Sequence, residues 1–329
     1  MSAFGRKFKG MDAIRVLMDG DTNHWLADLL RHWRSSGQDA EDAGLRLAVR
    51  NGTLNFYRRG QSIARVSFTC GELREKTHVK YVLPHPAGAR TGYVSMGRDG
   101  VLRMPPGSPC PTELSYGGWD TIACWIAAVD GCPAKGRKGY AGPEKTAVDR
   151  LVTENDDVID LEMGLPAWGF QETAPRMDLV ALEPSPGGLA VVFWEAKLVG
   201  DGRIRCSGDI EVDAKPEVLK QLAVYRRFLA EPIHRALVVT AYREAARVLV
   251  DLARVARSLG NPVELGAAVH AIAEATVPLT VDAEPRLVVF NRRSENQGAW
   301  KHHFSRLVAA GVPTLVIEEG DPFHLRYPS

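Results

Sequence analysis

The chain has 329 residues, 45% of them hydrophobic, and a formal net charge of +1. That is enough apolar content for a sizeable core in one large domain or two, and the near-neutral balance carries no global polyanion-binding signature. Five cysteines (Cys70, Cys110, Cys124, Cys132 and Cys206) are odd in number and form no CxxC pair, so neither a disulfide framework nor a zinc site is indicated. No apolar run approaches a membrane span of about 20 residues, and no signal peptide leads the chain. The expectation is a protein of the reducing cytoplasm with no membrane partner.

The first ten residues, MSAFGRKFKG, are basic and contain glycine, and they read as a loose arm. From His24 to Arg34, residues Trp25, Leu26, Leu29, Leu30 and Trp33 recur at helical spacing, which predicts a short helix with a core-facing stripe. Leu45 to Arg50 and Thr53 to Tyr57 alternate around Asn51-Gly52, a strong hairpin turn. A second turn at Arg59-Gly60 leads to Gln61–Phe68, and His78 to Leu83 reads as a fourth strand of an antiparallel meander. Arg50, Arg58, Arg59 and Arg65 read as a solvated strand face; contact with a polyanion is the second reading.

Residues Pro84 to Pro111 are rich in Gly and Pro, with turn chemistry at Arg98-Asp99-Gly100 and Pro105-Pro106-Gly107. Trp119 to Val129 predicts an apolar helix. Gly131 to Gly142 predicts a basic, flexible loop and a boundary: a β-rich region over 1–130 of unassigned role, then an α/β domain over 131–329. In that second part helices are expected at Pro143–Asn155, Pro216–Leu229, Tyr242–Leu259 and Glu295–Ala310. Strands are expected at Val158–Leu165, Arg176–Leu182, Leu189–Leu198, Arg235–Thr240, Arg286–Phe290 and Thr314–Ile317. Such alternation argues for a sheet with helices on its faces.

The stretch GGLAVVFWEAKLV, Gly187 to Val199, concentrates the chemistry. Side chains alternate along a strand, so Leu189, Val191, Phe193, Glu195 and Lys197 share one face. A glutamate and a lysine in a core strand are costly unless paired or used. The preceding strand carries Asp178 on a face with Val180 and Leu182, and a hairpin around Ser185 to Gly187 would bring Asp178 beside Glu195. Two carboxylates with a lysine beside them make a divalent-metal site whose hard oxygen ligands are the carboxylates; a structural ion pair at a strand end is the other reading. A second [DE]xK copy, Asp213-Ala214-Lys215, precedes Pro216 without a strand. On the first flanking helix Glu144 shares a face with Ala147, Val148 and Leu151. It also sits in the first turn, where the helix dipole favours an anion. On the second, Gln221 and Tyr225 are one turn apart beside Val218, Leu222 and Phe228. His302-His303 cannot clamp one metal from a helix, since their side chains diverge by about 100°.

The run Glu144, Asp178, Glu195-Ala196-Lys197 and Gln221-x-x-x-Tyr225 resembles the PD-(D/E)XK nuclease superfamily, and its Gln-x-x-x-Tyr element is similar to the branch with RecB-type exonuclease domains. The resemblance covers about residues 143–240. It implies a restriction-endonuclease-like αβββαβ core with a mixed sheet. It further implies a magnesium (or manganese) site at Asp178, Glu195 and Glu144, with Lys197 acting on the attacking water and Gln221 and Tyr225 orienting the site. Met177 rather than proline precedes Asp178, Pro175 stands three before it, and Glu154 is a second candidate for the helix carboxylate. Lys135, Arg137, Lys138, Arg203 and Arg205 are the expected phosphate contacts, since positive charge suffices for them. The implied partner is DNA, RNA not being excluded, and cutting a duplex with a one-strand site would favour a homodimer. The alternative is a catalytically inactive nucleic-acid-binding or interaction protein on the same fold.

Overall fold

The structure, a computed structural model, describes residues 4–40, 43–82, 92–105, 113–132, 137–166, 176–205, 216–291 and 300–325. Two helices come first, α1 (Met11–Gly20) and α2 (Trp25–Arg31). A meander follows: β1 (Arg46–Arg50), β2 (Thr53–Arg58), β3 (Gln61–Thr69) and β4 (Glu72–His78), then the short helix α3 (Val79–Val82). The strands β5 (Tyr93–Met96), β6 (Val101–Arg103) and β7 (Glu113–Ser115) complete a seven-stranded antiparallel sheet in sequence order. The expected hairpins are present, with Arg50 opposite Thr53 and Arg58 opposite Gln61. Arg59 and Gly60 both take positive φ, 44° and 69°, as a tight hairpin turn requires.

The fourth strand differs from the sequence expectation. It runs over Glu72–His78, and residues 79–82 are helical. The charges of Glu72, Arg74 and Lys76 mask a strict alternation in which Leu73, Glu75 and Thr77 face inward. The Gly- and Pro-rich stretch also contributes β5 and β6. The N-terminal residues are not a loose arm: Phe4 and Phe8 are buried, and Arg6 Nε donates to Asp160 Oδ2 at 3.0 Å. Nor is the arginine face simply solvated. Arg50 pairs with Asp160, and Arg58 is buried against Asp130 at 2.6 Å.

Helix α4 (Trp119–Asp130) and the small ladder of β8 (Gly131–Cys132) with β9 (Arg137–Lys138) lead to α5 (Pro143–Glu154), which opens on its proline. Strands β10 (Val158–Gly164), β11 (Arg176–Ser185) and β12 (Gly188–Leu198) form an antiparallel trio. Helices α6 (Glu217–Ala230), α7 (Pro232–Ser258) and α8 (Ala267–Ala273) then intervene. After them β13 (Leu279–Val281) and β14 (Arg286–Asn291) lie parallel to β12, and α9 (Trp300–Ala309) delivers β15 (Thr314–Glu318) parallel to β14. The fold is thus mixed α/β; among the described residues it has a seven-stranded antiparallel sheet, a six-stranded mixed sheet and the two-stranded β8–β9 ladder.

The expected strand at Arg235–Thr240 is helical, inside α7. Its β-branched run is overridden because Val238, Ala241, Tyr242, Ala245, Ala246 and Leu249 form a buried stripe at helical spacing. The strand that follows the helices and lies parallel to β12 is supplied later, by β13 and β14. Helix α7 packs on α1, α2, β1, α6 and α8. One cluster of buried side chains accordingly joins Trp33, Phe56 and Trp125 to Met163, Phe193 and Leu252, crossing the boundary expected near residue 131.

Candidate active site

The two faces of β12 bury in separate clusters, as strand alternation requires. Val191 and Phe193 pack toward α6 and α7, while Val192, Trp194 and Ala196 pack on Ala147, Val148 and Leu151 of α5. The β11–β12 hairpin turns at Pro186-Gly187, with Ser185 opposite Gly188 and Leu179 opposite Trp194. One residue before Leu179, the Asp178 side chain reaches across to the neighbouring strand: its Oδ2 accepts the Ala196 N–H at 2.9 Å. Asp178, Glu195 and Lys197 are buried, at 6%, 2% and 1% exposure. The hairpin therefore brings together the three residues that the sequence singled out.

Their charges are arranged around the Lys197 ammonium. It donates to Glu195 Oε1 and, at 2.8 Å, to the Ala196 carbonyl, and it lies 3.7 Å from Asp178 Oδ2. Glu195 Oε2 is buried and meets no hydrogen-bond geometry among the described residues, the Gln221 amide being the nearby donor that helps hold this carboxyl down. Burial and the adjacent Asp178 charge push the Glu195 carboxyl up to about 8, against the pull of Lys197. Burial also acts to raise Asp178, but Lys145, Lys197 and the Ala196 N–H outweigh it and hold this carboxyl below the usual range. The two carboxylates are thereby pushed apart in acidity.

Lys145 was not anticipated. Its ammonium bonds to Glu162 Oε1 and, at 2.7 Å, to Asp178 Oδ1. These partners raise its pKa despite the burial that acts to lower it. The only sequence signal was its position one residue after Glu144 in the first turn of α5. The hairpin turn at Gly60 presses on this pair: a Cβ there would stand 2.8 Å from Lys145 Cδ and 3.2 Å from Glu162 Oε1. Glu162 itself has a positive φ of 51°.

Glu144 sits at the rim. Its Oε2 is 3.5 Å from Arg203, which also pairs with Asp201. Burial, with Asp178 nearby, raises its pKa, against Lys197, Arg203 and Lys145. Glu154, the other helix candidate, bonds to Arg150 and to the Phe323 N–H instead. Gln221 donates to the Arg176 carbonyl at 2.8 Å. The Tyr225 hydroxyl, fully buried, donates to the Met163 carbonyl at 2.8 Å and accepts the Met177 N–H at 3.1 Å. Both side chains thus hold the strands that present Asp178. Arg205 Nε donates to the Val199 carbonyl at 2.9 Å. Lys135 lies outside the described residues, as do the side chains of Arg137 and Lys138 and the second copy at residues 213–215.

The chain matches no family model, no curated protein and no solved structure.

The donors, carboxylate and carbonyl oxygens, are of the hard type that a divalent cation takes. Oxygens of Asp178, Glu195 and the Ala196 backbone already converge on one positive centre, and Glu195 Oε2 leaves a further acceptor there. Among the described residues no group of three Asp, Glu, His or Cys side chains is gathered as a cage. The backbone carbonyl and waters would have to complete the coordination, as they do for magnesium.

Proposed function

We propose that the chain is a magnesium- or manganese-dependent nuclease that hydrolyses phosphodiester bonds of DNA, on a restriction-endonuclease-like core, in the cytoplasm. The observation that carries this reading is the buried Lys197 ammonium, held by Glu195, the Ala196 carbonyl and Asp178 in one strand-end nest. The resemblance of Glu144, Asp178, Glu195, Lys197, Gln221 and Tyr225 to the PD-(D/E)XK pattern supports it.

Asp178 and Glu195 would hold the ion. When bound, it supplies Lewis acidity toward the phosphoryl oxygens. Lys197 places a donor beside the carboxylates, where a nucleophilic water would be oriented. Lys145 keeps Asp178 ionised and fixes its orientation. Burial excludes bulk water, which strengthens each of these interactions.

One observation favours a second reading, a catalytically inactive nucleic-acid-binding or interaction protein. Asp178 is flanked by two lysines, as it would be in a purely structural ion network. A cleavage assay separates the two. Wild type, Lys197→Ala and Asp178→Ala, each checked for folding, are incubated with single- and double-stranded, linear and circular DNA, and with RNA, in Mg²⁺, Mn²⁺ or chelator. The nuclease reading expects metal-dependent cutting that falls at least about 100-fold in both variants. Uniformly inert protein that also fails to bind Mn²⁺ in a calorimeter sinks it.

A further inference from the structure

The outer face of the seven-stranded sheet carries charges that the fold does not neutralise. Arg65 on β3 stands directly opposite Lys76 on β4. Both are exposed, and neither has a hydrogen bond or carboxylate partner among the described residues. Like charges facing each other across a ladder destabilise a sheet. The row continues in register to Asn55 on one side and Ser95 on the other, with no acid among them.

This face forms one wall of a cleft of about 620 Å³ that runs to Lys145 and Glu162. Arg50 in the cleft is balanced by Asp160, and Lys145 by Glu162 and Asp178. Arg65, Lys76, Lys80 and Arg176 remain without a carboxylate among the described residues. Among the described residues Glu162 is the one acidic residue lining the cleft, and Lys145 occupies it. The cleft lining carries Arg50, Arg65, Lys76, Lys80, Lys145 and Arg176 against Glu162, although the chain as a whole has a net charge of only +1.

Aromatic rings accompany them. Tyr93, 54% exposed, lines the cleft with its ring 5.4 Å from His78. The Lys80 ammonium lies 4.8 Å from each of the Tyr81 and Tyr140 rings, and Tyr140 is 46% exposed. Cations that follow a phosphate backbone, with exposed rings on which unpaired bases stack, are the two parts of a single-strand binding groove. A duplex would present phosphates but keep its bases from Tyr93 and Tyr140.

We propose that this sheet face binds single-stranded DNA and leads it toward the Asp178–Glu195 pair. Its orientation toward the carboxylates rests on the nuclease reading; the binding itself does not.

The test is fluorescence anisotropy of a labelled oligothymidylate with the full chain in chelator, where no metal-dependent step proceeds. Wild type is expected to bind, with affinity falling as salt rises. Arg65→Glu/Lys76→Glu should weaken binding more than about tenfold and flatten the salt dependence. Tyr93→Ala should weaken it by about tenfold. If the charge-reversed protein melts early, Arg65→Gln/Lys76→Gln gives the same reading with less strain. No binding by wild type, equal binding by the double variant, or tighter binding of the matching duplex overturns the proposal. Because binding is read without turnover, an inert but DNA-binding protein counts against the nuclease reading alone.

Discussion

Lys145, from the first turn of α5, bonds at 2.7 Å to Asp178 on β11 while its ammonium is shared with Glu162 on β10. A single cation thus joins a helix and two strands at the point where the candidate site opens. Their side chains are 24%, 8% and 11% exposed for Lys145, Asp178 and Glu162 respectively, so water screens the pairs only in part. Lys145→Met should cost about 3 kcal/mol, since it strands the Glu162 carboxylate and removes one of the two cations beside Asp178. Adding Glu162→Gln should recover part of that loss. Urea titrations of the two single variants and the double variant measure it, and a cost below about 1 kcal/mol would reduce the pair to the worth of a surface salt bridge.

Two hairpin glycines give a controlled comparison. Gly60 (φ 69°) and Gly187 (φ 80°) both occupy the left-handed region, but only Gly60 has Lys145 and Glu162 where a methyl would go. Each Ala substitution should cost about 1–2 kcal/mol from the backbone. Gly60→Ala should cost about 1 kcal/mol more, because it displaces the ion pair. In a Lys145→Ala background that excess should vanish, as expected of coupled neighbours. Equal costs at both glycines in the native background would mean that the hairpin does not press on the site.

Glu75 on β4 is fully buried, and neither carboxylate oxygen has a hydrogen-bond partner among the described residues. Val66 and Met96 are its cross-strand neighbours. Burial raises its pKa well above the ordinary value. It is therefore neutral when folded, whereas the unfolded carboxyl ionises near its ordinary value. The folded state binds the extra proton, so the contribution is fully present below the unfolded pKa and is lost as pH rises toward the folded one. As pH rises above the ordinary carboxyl range wild type should lose up to about 1.4 kcal/mol per pH unit relative to Glu75→Met. Thermal melts at rising pH are the check; parallel curves for the two proteins would refute it.

Local patterns carried much of the architecture. The β11–β12 hairpin and the meander could be read because alternation and turn residues are short-range signals, and Asp178, Glu195 and Lys197 lie on adjacent strands joined by one turn. Three features depended on distant partners and were not legible. Arg6 looks like a surface residue until Asp160, 154 positions away, is placed beside it. Lys145 is an ordinary first-turn lysine until β10 and β11 are brought underneath it. The Arg235–Thr240 segment has strand-like composition, and only its packing against elements from both ends of the chain makes it helical.

Asp160, 2% exposed, also bears on how this chain can be divided. Its carboxylate is bonded by Arg6 and Arg50 and accepts from Tyr242 at 3.1 Å, so both of its counter-charges come from the first fifty residues. A fragment beginning near residue 131 would contain an interior anion with no cation to neutralise it. Neither segment is electrically complete without the other, and the N-terminal sheet could not be exchanged among relatives as a detachable module without new arginines being supplied.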